Sequence, residues 1–204
     1  MKIHNFEQNS QEWCSARLGV ITASNFAKVI TPKKLQLSSQ SEELALSLAG
    51  EIITGVSAEE FQGNYHTDRG QELEPDAVEL YEMTTGHTTT KVGFVTNDEG
   101  TIGASPDRLV GEDGGLEIKC PSMKQHLRYL FGLDDLTQEH RPQVQGNILV
   151  CQRKWWNVMS YHPELPPVIK DVNPDAEYLG ALEPALNEVA QKVQDYVTKI
   201  RGMM

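Results

Sequence analysis

Gly103–Pro121, GASPDRLVGEDGGLEIKCP, is the stretch from which the rest of the chain can be read. Two short β-prone segments flank Glu112-Asp113-Gly114-Gly115, an acidic, glycine-containing run suited to a hairpin turn. The first segment carries Asp107 directly after Ser105-Pro106, and the second runs Leu116-Glu117-Ile118-Lys119-Cys120. Side chains alternate along a strand, so Glu117 and Lys119 share one face while Leu116, Ile118 and Cys120 take the other. With the hairpin closed at the glycines, Asp107 falls opposite Glu117, with Cβ atoms about 5 Å apart. Two carboxylates and an ammonium then converge on one small patch.

Carboxylates this close repel unless a proton or a cation lies between them. A hard divalent cation such as Mg2+ suits them, because it takes oxygen ligands, binds through one or two carboxylates and completes its shell with water and substrate phosphate. Lys119 is then placed to orient or help deprotonate an attacking water, or to stabilise charge developing on a phosphate. The competing reading is an exposed hairpin carrying ordinary surface charges.

Three other segments bear on the choice: Trp13–Ser24 (WCSARLGVITAS), Arg69–Ala77 (RGQELEPDA) and Gln143-Val144-Gln145. Together with SPD and GLEIKCP they resemble, in order, the motifs of the PD-(D/E)XK nucleases, and within that superfamily the lambda exonuclease or YqaJ-type viral recombinase branch. The resemblance covers most of the chain. It implies an α/β fold with a restriction-endonuclease-like core, a central mixed β-sheet flanked by helices, as one nuclease domain over residues 1–204. It implies a Mg2+-dependent 5′-to-3′ exodeoxyribonuclease, with Mn2+ able to substitute. Such an enzyme degrades one strand of double-stranded DNA from a 5′-phosphate end and leaves a 3′ single strand. A ring-shaped homotrimer, a single-strand annealing recombinase as partner, and a phage or prophage origin belong to the same expectation.

The resemblance also assigns roles. Asp107, Glu117, the Ile118 carbonyl and Glu74 hold the metal, and Lys119 with Gln143 positions the water. Gln143 is preferred over Gln145 as the glutamine that approaches the site. Arg17, Ser24 and Ser105 form a pocket for the terminal 5′-phosphate, with Trp13 and Thr22 in the same DNA-binding segment. Two departures stand out: Pro75 directly follows Glu74, which leaves Glu72 as a competitor, and His140-Arg141-Pro142 replaces the aromatic residues often found before the glutamines. A non-processive endonuclease or repair nuclease, and a catalytically inactive DNA-binding module, are the rival readings.

With 204 residues, 39% hydrophobic and 23% charged, the chain has the size of one globular domain. No stretch approaches the ~20 apolar residues of a membrane span, and MKIHNFEQNSQEW lacks an apolar signal core, so a cytoplasmic protein is expected. Cys14, Cys120 and Cys151 are odd in number and scattered, which argues against disulfides, a zinc site or an iron–sulfur cluster. A net charge of −11 opposes DNA binding unless the 18 Lys and Arg residues gather on one surface, such as the lining of a closed channel. Lys33 and Lys34, in a polar loop after a helix-breaking Thr31-Pro32, are placed to reach DNA.

Periodicity predicts a short helix after Ser10, and a second helix over Ser24–Ile30 capped by Thr22 or Ser24. Further helices are expected over Ser41–Ile53, Gly70–Thr85, Lys124–Phe131, Gln138–Val150 and Asp175–Arg201. Lys91–Asn97, Thr101–Val110 and Leu116–Cys120 read as one three-stranded unit, with more strand at Lys154–His162 and Val168–Val172. Residues 56–68 read as irregular.

Overall fold

The acidic hairpin turns earlier than its glycines suggest. In the computed structural model, which describes residues 1–58 and 65–204, strands run over Arg108–Val110 and Gly114–Lys119, and Gly111-Glu112-Asp113 make the turn. The reason lies across the sheet. A Cβ on Gly114 would sit 2.2 Å from the Trp155 ring, and one on Gly115 2.2 Å from the Trp156 ring, so both glycines make room for indoles. The register still brings the carboxylates together: Arg108 pairs with Leu116 and Leu109 with Gly115, so the next residue outward, Asp107, faces Glu117. Trp156 is fully buried, so Gly115→Ala is expected to lower stability by roughly 1–3 kcal/mol through overpacking. A denaturation midpoint equal to wild type would contradict this packing.

In chain order the elements begin with β1 (Lys2–His4), α1 (Gln11–Arg17), β2 (Ile21–Thr22), a 3-10 helix (Ala23–Lys28), α2 (Ser41–Thr54) and α3 (Tyr65–Thr85). Short strands come next: β3 (Thr89–Thr90), β4 (Phe94–Thr96), β5 (Ile102–Ala104), β6 (Arg108–Val110) and β7 (Gly114–Lys119). The rest is α4 (Met123–Leu130), α5 (Leu136–Glu139), α6 (Arg141–Cys151), β8 (Trp156–Ser160), β9 (Val168–Val172) and α7 (Ala176–Met203).

The fold is α/β with helices flanking mixed sheets, but the strands divide between two sheets. One has the order β1-β4-β5-β2 and the other β3-β6-β7-β8-β9, with β2–β5 and β7–β8 parallel. The expected three-stranded unit is therefore split between Ala104 and Arg108. Pro106 explains the break, since it has no amide proton to extend a ladder; its carbonyl instead accepts from Gln8 Nε2 at 3.1 Å. Ser105 and Asp107 consequently lie at the seam where the chain passes from one sheet to the other.

Both faces of β7 are covered. Leu116 and Ile118 pack with Ala77 and Tyr81 of α3, while the Glu117 side meets α6. On the other side of the molecule, buried Leu44 and Leu48 of α2 meet Leu182, Leu186, Val189, Val193 and Val197, one apolar stripe of α7. Gly146 of α6 lets the Phe26 ring close to where its Cβ would be, at 2.3 Å.

Three helices depart from expectation, the one expected over Gln138–Val150 being divided at His140 between α5 and α6. Ile21–Thr22 is a strand, and Ala23–Lys28 after it is a six-residue 3-10 helix rather than an α-helix, with Thr22 at its N-cap but making no side-chain cap bond. Short, tight turns of this kind are where 3-10 geometry is used. Helix α3, Tyr65–Thr85, reaches upstream of the expected Gly70 and carries Pro75 internally. The proline removes the amide that would bond the Gln71 carbonyl, and Gln71 is exposed to water instead. Part of the irregular segment expected over 56–68 lies outside the described residues. Among the described residues no helix is long and apolar enough to cross a membrane.

Candidate active site

The seam between the sheets opens into a cleft of about 540 Å³ that holds most of the residues singled out from the sequence. At its acidic end, Asp107 Oδ2 accepts from the Ile118 amide at 2.6 Å. The N–H and C=O of one strand residue point to the same side, so the Ile118 carbonyl is directed toward Asp107, and Ile118 lines the cleft. Glu117 is buried with both oxygens engaged. Its Oε1 accepts from Lys119 Nζ at 2.8 Å and from Gln143 Nε2 at 2.7 Å, and its Oε2 from Asn147 Nδ2 at 3.0 Å. Lys119 Nζ also donates to Gln143 Oε1 at 3.0 Å, closing the network.

The electrostatics arise from this crowding. Burial, and then the charge of Glu117, hold the Asp107 carboxyl well above the usual carboxylate range, with Lys119 opposing. Burial pulls Lys119 down, but Glu117 and Asp107 outweigh it and leave the amine above its ordinary value. Lys119 Nζ is thereby held at the acidic end of the cleft, where it can orient a water or meet a phosphate. The donor set fits a hard divalent cation, since it consists of oxygens only and the repulsion that disfavours ionised Asp107 is what such a cation relieves. Among the described residues no group of three or more His, Cys, Asp or Glu stands close enough to hold a metal. Asp107, Glu117 and the Ile118 carbonyl are the oxygens gathered at this end of the cleft, with Glu74 at its border.

Of the two competing glutamates of α3, Glu74 lines the cleft and Glu72 is exposed. Glu74 Oε1 is engaged by Arg108 Nη1, which also donates to the Asp107 carbonyl at 2.6 Å. Gln145 points away from the site: its amide donates to the Asn173 carbonyl and its oxygen accepts from the Asp175 amide, both at 2.9 Å, fixing the start of α7.

The other end of the cleft is cationic. Arg17, in the last turn of α1, donates to Ser105 Oγ at 2.9 Å, and its guanidinium lies 4.2 Å from the centre of the Trp13 ring. Trp13 Nε1 donates to the same Ser105 Oγ and to the Gly93 carbonyl, each at 3.1 Å. The Thr22 and Ser24 hydroxyls lie 3.0 Å apart on the same wall. Lys33 and Lys34 are exposed and do not line the cleft. Sequence reading missed Asn147 and Arg108. Asn147 had a signal, lying one helical turn beyond Gln143 and hence on the same face.

Beside Lys119 a second hollow is bordered by Gln125, Tyr129, Glu139 and His140. Burial and the Lys119 charge push His140 down to about 4. An NMR titration is expected to show this ring neutral until near that pH; a midpoint at its ordinary value of 6.5 would contradict the placement beside the ammonium.

The YqaJ-like viral recombinase domain matches residues 12–154. Among solved structures, the chain superposes on an alkaline exonuclease from Laribacter hongkongensis, also determined in complex with dAMP, with a TM-score of 0.82 and 28% identity over 95% of this chain and 97% of that one. A phage-related exonuclease from Haemophilus somnus 129PT shares the fold, with a TM-score of 0.70 and 18% identity over 91% of this chain and 96% of that one. Comparison with curated proteins by sequence finds no match. With the domain covering most of the sequence and the Laribacter exonuclease nearly all of it, the chain belongs to the YqaJ-like viral recombinase family and is a nuclease of the PD-(D/E)XK fold.

Proposed function

We propose that the protein is a Mg2+-dependent 5′-to-3′ exodeoxyribonuclease that takes duplex DNA by a 5′-phosphate end and leaves a 3′ overhang for single-strand annealing. The observation that carries this reading is the joining of two unlike ends in one cleft, Arg17 with Ser105 at one and Asp107, Glu117 and Lys119 at the other. A terminal phosphate carries more charge than an internal one, and the planar fork of an arginine suits it. With that group held by Arg17, Ser105 and Ser24, a phosphodiester of the same strand is presented to the acidic end. That the Laribacter exonuclease has been determined in complex with dAMP supports a nucleotide ligand for this chain.

Asp107, Glu117 and the Ile118 carbonyl are the groups to hold the divalent cation, which when bound polarises the scissile phosphate and lowers the pKa of a water. Gln143 and Asn147 hold Glu117 aimed, by donating to both of its oxygens. Lys119, fixed between Glu117 and Gln143, supplies a positive charge where the phosphate becomes more negative. The further parts of the reading are one nuclease domain, a ring-shaped homotrimer, an annealing recombinase as partner and a phage origin in a bacterial cytoplasm. A net charge of −11 favours the ring, because it lets basic residues line a passage while the outside stays acidic.

End-labelled linear duplex assayed beside covalently closed circles, with and without Mg2+, tests the reading. Linear DNA is expected to be digested from its 5′ ends in Mg2+ and circles to stay intact. Cutting of closed circles would point to an endonuclease, and binding without cleavage to an inactive module.

A further inference from the structure

We propose that Arg108 is a positioning residue of this site: it holds the Glu74 carboxylate on the α3 side of the hairpin, so that Asp107, Glu117 and the Ile118 carbonyl alone form the protein shell of the cation. The proposal rests on the reading of the cleft as a divalent-cation site.

Chain geometry supplies the first argument. Asp107 directly precedes Arg108, the first residue of β6, and meets the Ile118 amide in the cleft while Arg108 turns to Glu74. Arg108 pairs directly with Leu116, whose side chain packs under α3 with Ala77 and Tyr81. The guanidinium is thereby carried to the α3 face, where it meets Glu74. The second argument is anchoring, for Arg108 Nη1 also donates to the Asp107 carbonyl at 2.6 Å, tying α3 to the strand that bears the first carboxylate. The third is burial: the two side chains are only 11% and 17% exposed, so water screens the pair little and neither partner leaves it easily.

The chemistry gives the pair a purpose. Glu74 borders the cleft, and its charge reaches Asp107. Freed from Arg108, it would be a third carboxylate for a cation that needs open positions for water and substrate phosphate. An added carboxylate tightens cation binding and fills one of those positions. Arg108 thus keeps the shell sparse. Its signal in the sequence is a lone arginine between Asp107 and the apolar Leu109-Val110.

Mn2+ binding in the absence of DNA, read from the EPR signal of the free ion, tests this on wild type, Glu74→Gln, Arg108→Ala and the double variant, with thermal melting to confirm folding. Glu74→Gln alone is expected to change the Mn2+ dissociation constant by no more than about twofold, because the carboxylate is outside the shell. Arg108→Ala is expected to tighten Mn2+ on the order of tenfold, and adding Glu74→Gln to return it toward wild type, since affinity follows the number of charged ligands. Equal effects of Glu74→Gln in both backgrounds would overturn the proposal. So would a Glu74→Gln protein that loses most of its Mn2+ affinity; that variant is isosteric and decides the matter even if Arg108→Ala melts early. Absence of Mn2+ binding by wild type would overturn the cation site itself, whereas binding with no coupling between the two substitutions would overturn only the role of Arg108.

Discussion

Lys119→Ala is expected to reduce digestion of linear duplex by on the order of 10²–10³-fold while leaving the protein folded and able to bind DNA. The side chain is held at 2.8 Å from Glu117 and 3.0 Å from Gln143 and is about a quarter exposed, so it faces the cleft and contributes little to the core. Truncation leaves Glu117 with two donors, Gln143 and Asn147, which keeps the buried carboxylate paired. The loss then falls on charge stabilisation at the phosphate. Initial rates on end-labelled duplex, with melting curves and filter binding as controls, make the comparison. A variant that digests at the wild-type rate would remove Lys119 from the chemistry.

The second large effect is expected at Arg17. Removing a charge-assisted contact of this kind takes away about 1.5–3 kcal/mol, or roughly 10- to 100-fold in rate if it acts in positioning. Arg17→Ala should therefore be slow on 5′-phosphorylated duplex and should no longer distinguish 5′-phosphate from 5′-hydroxyl ends. Because Arg17 also stacks on Trp13 and donates to Ser105, Arg17→Lys is the control: it keeps the charge without the planar fork and should fall between. Equal digestion of both ends by wild type, or full discrimination by the alanine variant, would misplace the phosphate pocket.

Much of the site was legible because it depends on local pattern. The facing of Asp107 and Glu117 needs only the pairing register, and that holds although the turn lies over Gly111-Glu112-Asp113. Helix periodicity put Gln143 on the polar side of α6, and the resemblance implied its approach to the site, where it meets Lys119. What escaped is tertiary. Nothing around Gly114 and Gly115 shows that two indoles from residues forty positions later need their space. The split of β5 from β6 into different sheets depends on what Pro106 meets after the chain leaves the first ladder. Glu74 is legible as a carboxylate near the site, but its partner is set by how α3 lies over β6, which no spacing encodes. Gln145 illustrates the converse, since a motif residue next to a functional one turned out to brace α7.

Crystals grown with Mn2+ and a short 5′-phosphorylated duplex, examined by anomalous scattering, test most directly the claim that one cleft joins end recognition to metal-dependent cleavage. The account predicts an anomalous peak between Asp107, Glu117 and the Ile118 carbonyl, at roughly 2.0–2.3 Å from their oxygens, with the terminal phosphate on Arg17 and Ser105. A peak elsewhere, or a 5′-phosphate outside the reach of Arg17, would contradict it.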